Sequence, residues 1–417
     1  MSAAQRAAQR PAGGLAPRWR IAPLMLAFFG LFIGAGAGLA RLGWGMPALA
    51  VSAAGLHGPL MICGFFGVVI ALERAVAIGR SWAYLGPLLA GLGSACAVFG
   101  AVSQAGALFL AGSLVLLGAS VDVWWRQRAL FTFTLALGAA CWSIGNALWL
   151  AGGFVHDVVP WWLAFLILTI AGERLELSRF LPPSPAASRI FAVLLGSIVA
   201  GLLGARSAWG QLLFGAGVLG LAAWLLKQDI ARRTVRGRGL TRFIAVCLLS
   251  GYVWLALGGA VILLAGGLQP ATAGYDAALH AIALGFVFSM VFGHAPLIFP
   301  AVLRLAVPYH ATFYAPLALL HASLVMRLLG DASSTPGAVR AGALLNALAL
   351  LGFITGTALA VLRGRRALMS RKRRASHASH SLAGESPAIQ HSEQAGRCTG
   401  PGDDSCPTPR PNASKAQ

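Results

Sequence analysis

Acidic residues are scarce in this chain, with 12 Asp and Glu among 417 residues, and charged side chains of either sign reach only 11%. Ordinary soluble domains carry about 25% charge, so a water-covered globule is excluded. Apolar residues fill the gap: they make up 58% of the sequence, at a mean hydropathy of +0.75. Cysteine is sparse too. Cys63, Cys96, Cys141 and Cys247 lie inside apolar segments and read as small packing residues, and Cys398 and Cys406 have no zinc-type spacing. No disulfide framework is present, so a small stapled secreted fold is excluded as well.

Long apolar runs are what the chain has in plenty. A spanning helix needs roughly 20 apolar residues to cross about 30 Å of hydrocarbon. Such runs are predicted near 21–42, 53–73, 82–103, 105–125, 129–151, 157–177, 188–205, 208–226, 241–265, 275–295, 309–329 and 341–362. They are apolar all round and rich in glycine, which suits helices rather than the short alternating strands of a barrel. The expected fold is an all-α polytopic membrane protein of about twelve transmembrane helices in the lipid bilayer, preceded by a basic segment, 1–20.

The net charge of +20 does not point to nucleic acid, because the basic residues gather between the apolar runs. Arg6, Arg10, Arg18 and Arg20, then Arg74 and Arg80, Arg126 and Arg128, Arg174, Arg179 and Arg189, the run from Lys227 to Arg242, Arg304 and the tail all fall on one side. The positive-inside rule then predicts a bacterial cytoplasmic membrane protein with both termini cytoplasmic and an even number of spans. Trp44, Trp149, Trp161, Trp162 and Trp209 at one set of ends, and Trp82, Trp124 and Trp125 at the other, form an aromatic belt. Gly30, Gly34, Gly36 and Gly38 make a small-residue face for close helix packing. From residue 363 the sequence turns basic and then Ser/Pro/Gly-rich. The segment 363–417 is expected to be a disordered tail whose basic part lies on anionic headgroups.

Histidine is the chemically informative residue. His57, His156 and His280 stand near the starts of the second, sixth and tenth runs, a period of four helices that suggests three related four-helix arcs. Glu73-Arg74 and Glu173-Arg174 follow the first two histidines at similar intervals and are expected to anchor helix ends. His57 and His280 lie at matched depth, about 6–8 Å below one surface at 1.5 Å per residue. Two imidazoles so placed on separate helices suit a six-coordinate haem, one on each face. Interfacial histidines bonded to carbonyls or water, or a proton path, are the alternatives. His321, near mid-depth, is a reserve axial ligand or holder of a second metal, and Arg327 is a candidate partner for haem propionates. His294 precedes Pro296 and Pro300, where the tenth helix is expected to end or kink. His156-Asp157 is read as a helix cap, with copper binding as the sharper alternative. No Cys-x-x-Cys-His motif is present, so covalently attached haem is not expected.

Two stretches carry a family resemblance. His57-Gly58-x-x-Met61 followed by Gly64-Phe65-Phe66 resembles the second-helix motif of haem–copper oxidase subunit I. The stretch from His280 through Leu284-Gly285-Phe286 to Met290-Val-Phe-Gly-His294 resembles NnrS-like membrane haem proteins. The resemblance implies a haem b held by His57 and His280, with electron transfer or nitric-oxide or oxygen chemistry or sensing as the role. The implied partners are a diatomic gas and a respiratory electron donor. It also brings departures. The oxidases take copper ligands from mid-membrane on helix six and from a histidine pair on helix seven, whereas His156 sits at the mouth of its helix and the seventh run has no histidine. A complete haem–copper centre is therefore not expected. A proton-coupled secondary transporter and a cofactor-free assembly partner of a respiratory complex are the other classes that twelve spans allow.

Overall fold

A computed structural model of the chain describes residues 14–178, 184–305 and 307–384, with side chains up to residue 364. All regular structure among the described residues is helical. Among the described residues twelve helices are long and apolar enough to cross a membrane: α1 Pro17–Arg41, α2 Ala54–Ile78, α3 Ser81–Val98, α4 Val102–Arg126, α5 Leu130–Leu150, α6 Val155–Leu177, α7 Pro185–Leu203, α8 Ala208–Gln228, α9 Gly239–Leu264, α10 Ala273–Leu303, α11 Ala311–Ala332 and α12 Pro336–Gly364. The protein is an all-α, multi-pass membrane protein. The chain divides into two units, Met1–Arg366 and Ala367–Gln417, and all twelve spans lie in the first.

Three spans form the interior. The most apolar windows of α2, α6 and α10 are 61%, 72% and 67% buried, more than those of any other span. These are the helices that carry His57, His156 and His280, and they touch one another. Their neighbours pack in chain order around them, α3 on α4, α4 on α5, α5 on α6 and α7 through α9 in succession.

Glycine sets the spacing between α1 and α2. A Cβ on Gly30 would lie 3.2 Å from the Gly64 backbone carbon, and one on Gly34 would lie 3.0 Å from Met61 Sδ. The four-residue repeat therefore presents one bare stripe to α2, as small-residue faces do where backbones approach closely in lipid. Between α2, α5 and α6 a polar knot is buried. Asn146 Oδ1 accepts from Trp162 Nε1 at 3.0 Å and from Cys63 Sγ at 3.3 Å, and Asn146 Nδ2 donates to the Phe109 carbonyl at 3.1 Å. Cys63 is thus more than an apolar spacer. Gly67 makes room for Trp142, whose indole nitrogen also donates to Cys63 Sγ.

One expectation, an end of the tenth helix at Pro296, is corrected. α10 continues through Pro296 and Pro300 and stops at Leu303, where Arg304 adopts φ +57. Each proline removes one helix donor, but Ala295 and Pro296 are buried and Phe292 stacks on Phe353 of α12 at 3.9 Å, so packing holds the helix together. The final helix is described over Pro336–Gly384. Residues 385–417, with His391, Cys398 and Cys406, lie outside the described residues, as do residues 1–13.

Candidate haem site

α2 and α10 share an uncommon build. α2 opens with a tight turn at Ala54–Leu56, makes one α turn at His57–Pro59 and then widens into a π-helix over Leu60–Gly67. α10 is α-helical over Ala273–His280 and a π-helix over Ala281–Phe288. Each histidine therefore stands at the N-terminal edge of a π segment. Such segments are rare and concentrate at functional sites.

The two imidazoles meet. Their ring centroids are 6.4 Å apart and their planes differ by 18°. Each ring is fixed through one nitrogen. His57 Nδ1 donates to the Gly34 carbonyl of α1 at 2.7 Å, and His280 Nδ1 donates to the Asp276 carbonyl one turn earlier at 2.8 Å. Carbonyl oxygens only accept, so in its neutral form each ring carries its proton on Nδ1 and presents a bare lone pair at Nε2. Among the described residues neither Nε2 has a hydrogen-bond partner. Gly38 completes the seat: a Cβ there would lie 2.8 Å from His57 Nδ1 and Cε1.

A charged relay supports His280. Asp276 Oδ1 lies 3.2 Å from His280 Nδ1, and the same carboxylate takes a two-pronged bond from Arg327, with Nε to Oδ2 at 2.8 Å and Nη2 to Oδ1 at 2.9 Å. Arg327 is buried and Asp276 partly so. Sequence reasoning missed Asp276, although its position four residues before His280 is a legible signal. Arg327, expected to face a propionate, is committed through two of its three nitrogens to this aspartate. Below the histidines the site is apolar. Phe65 stacks on Phe288 at 5.8 Å, and Phe66 meets Phe288 at 4.9 Å.

The other histidines are placed differently. His321 Nδ1 accepts from Trp254 Nε1 at 2.9 Å, and its Nε2 bonds the Ser250 hydroxyl at 3.1 Å. Both ring nitrogens are used, which leaves no lone pair for the reserve metal-ligand role. His294 Nδ1 donates to the Met290 carbonyl at 2.7 Å, while its Nε2 accepts from Arg174 Nη2 at 3.0 Å. His156 lies within the first turn of α6 rather than before it, stacked on Phe154 and 3.5 Å from Asp157. Among the described residues no group of three or more His, Cys, Asp or Glu side chains is arranged to hold a metal ion. A haem needs only two protein ligands, and the pair present fits that demand.

Residues 20–362 match the family described as Domain of unknown function (DUF8744). The chain belongs to this family. No curated protein matches it. The matched range spans the membrane domain from α1 to α12 and includes every residue of the histidine site.

Proposed function

We propose that the chain is a haem b-binding integral membrane protein, with His57 and His280 as axial ligands. The observation that carries this reading is the matched pair of Nδ1-anchored imidazoles, 6.4 Å apart, each with an unpartnered Nε2. Metal-ligating histidines usually donate their other ring N–H to a carbonyl or carboxylate, which fixes the tautomer and raises ligand basicity. Gly34 and Asp276 do this here. When bound, haem would supply a one-electron iron couple. The chain's own part is to orient two rings, to place the positive charge of Arg327 beside them and to exclude water below with Phe65, Phe66 and Phe288.

Two strong ligands close both faces of an iron to gas, which favours electron transfer with a respiratory donor in a bacterial cytoplasmic membrane. Release of one ligand would open the site to nitric oxide or oxygen, as the resemblance to NnrS-like proteins and to haem–copper oxidases suggests. No reaction centre with copper is proposed. The test is the haem content of the full-length protein, purified after expression with ample haem and assayed as the pyridine haemochrome. One haem b per chain is expected, and its absence would remove this reading.

A second reading has one observation behind it. The far ends of α2, α6 and α10 bring together Glu73, Glu173 and Arg174 through mutual electrostatic contact, and Arg174 bonds His294. Ionisable groups at membrane depth suit proton-coupled transport. A haem-free protein that drives proton-coupled flux in liposomes would favour it.

A further inference from the structure

The connections before α9 and α11 form a second feature, independent of the histidine site. α9 begins at Gly239, whose φ of +61 swings the preceding basic segment onto the helix start. Beside it lies a cavity of about 390 Å³ lined by Arg238, Gly239, Arg242, Val246, Tyr309 and Tyr314. Arg238 and Arg242 are exposed, and among the described residues neither has a hydrogen bond or an ion pair. Tyr309 and Tyr314 are half-buried and packed on the buried Phe243, with ring centroids 6.3 and 5.1 Å away. The cavity thus has two unpaired guanidinium groups, two phenols and one aliphatic side chain.

Its surroundings favour an anion. Lys227, Arg232, Arg233 and Arg236 lie on the same connection. The one acid there, Asp229, is buried and already accepts from the Tyr252 hydroxyl and the Ala231 amide. No carboxylate of the connection is left to neutralise the arginines. With alternating spans, the α8–α9 and α10–α11 connections share the membrane face of the N-terminus. That is the depth at which lipid headgroups lie.

We propose that this cavity binds the phosphate headgroup of an anionic phospholipid. Guanidinium groups match phosphate geometry, interfacial tyrosines pair an apolar ring with a polar hydroxyl, and basic pockets between spans are recognised headgroup sites. A free phosphate shares the headgroup's chemistry; the lipid is favoured because Val246 and the tyrosine rings offer an apolar wall to the glycerol and acyl chains.

The test is native mass spectrometry of the detergent-purified full-length protein, titrated with phosphatidylglycerol, with phosphatidylcholine or with inorganic phosphate. One phosphatidylglycerol should bind in preference to phosphatidylcholine. At about 1 kcal/mol per surface arginine, Arg238→Gln and Arg242→Gln should each weaken it about fivefold, and the pair about twenty-five-fold. Arg232→Gln with Arg233→Gln, on the same connection but outside the cavity, should change it less than twofold. Arg238→Lys with Arg242→Lys, which keeps the charge, should fall between the double Gln variant and the parent. Equal loss in the two double Gln variants would overturn the site in favour of diffuse surface charge. Phosphate binding as tightly as the lipid would overturn the lipid assignment.

Discussion

The histidine pair His57 and His280 differs from two other half-buried histidines, His294 and His321, in how the ring nitrogens are used. In the pair one nitrogen is tied to a backbone carbonyl and the other has no partner among the described residues. His321 has both nitrogens bonded to side chains of α9, and His294 is held between Met290 and Arg174. All four are imidazoles on membrane helices, so residue type does not separate them. The second nitrogen does. A histidine saturated by protein is a packing element, and one held at a single edge is preorganised to donate a lone pair.

This contrast can be broken most forcefully at the ligands. His57→Ala and His280→Ala should each lower haem occupancy at least tenfold, measured as the pyridine haemochrome per chain, whereas His294→Phe and His321→Phe should leave it within twofold. Comparable losses in all four would erase the distinction. Asp276→Asn comes next. Partners of a ligating histidine are worth about 10–100-fold in metal affinity, so haem should bind more weakly while the protein still inserts; haem titration into the apoprotein measures the change. Gly38→Ala places a methyl group against the His57 ring, and overpacking costs about 1–3 kcal/mol. Its expected signature is a lowered melting temperature together with a shifted Soret band. The smallest effect is expected from His321→Phe, which strands Trp254 Nε1, while the Ser250 hydroxyl keeps its bonds to the Val246 and Cys247 carbonyls. An unsatisfied buried group costs about 1–3 kcal/mol, so thermal stability should fall while the haem spectrum stays unchanged.

The spans were legible because length and apolarity alone decide what crosses a bilayer. The four-helix period of His57, His156 and His280 singled out α2, α6 and α10, and their interior position emerges only from the packing. The convergence of His57 and His280 followed from matched depth. What the sequence did not reveal depends on contacts between distant residues. The saturation of His321 comes from Trp254 and Ser250, 67 and 71 residues away, and the commitment of Arg327 comes from Asp276, 51 residues away. The π segment at Ala281–Phe288, between His280 and His294, had no signal in the sequence pattern. Pro296 read as an end or a kink because proline disfavours helix locally, and packing on α12 carries the helix on to Leu303.

The central claim is that His57 and His280 together hold one haem. The most direct measurement is the oxidised and dithionite-reduced visible spectrum of the detergent-purified protein beside His57→Ala, His280→Ala and His321→Phe. The account predicts a sharp reduced α-band in the parent and in His321→Phe, lost or broadened in both alanine variants. A colourless parent protein after expression with ample haem, or an α-band that survives both alanine substitutions, would contradict it.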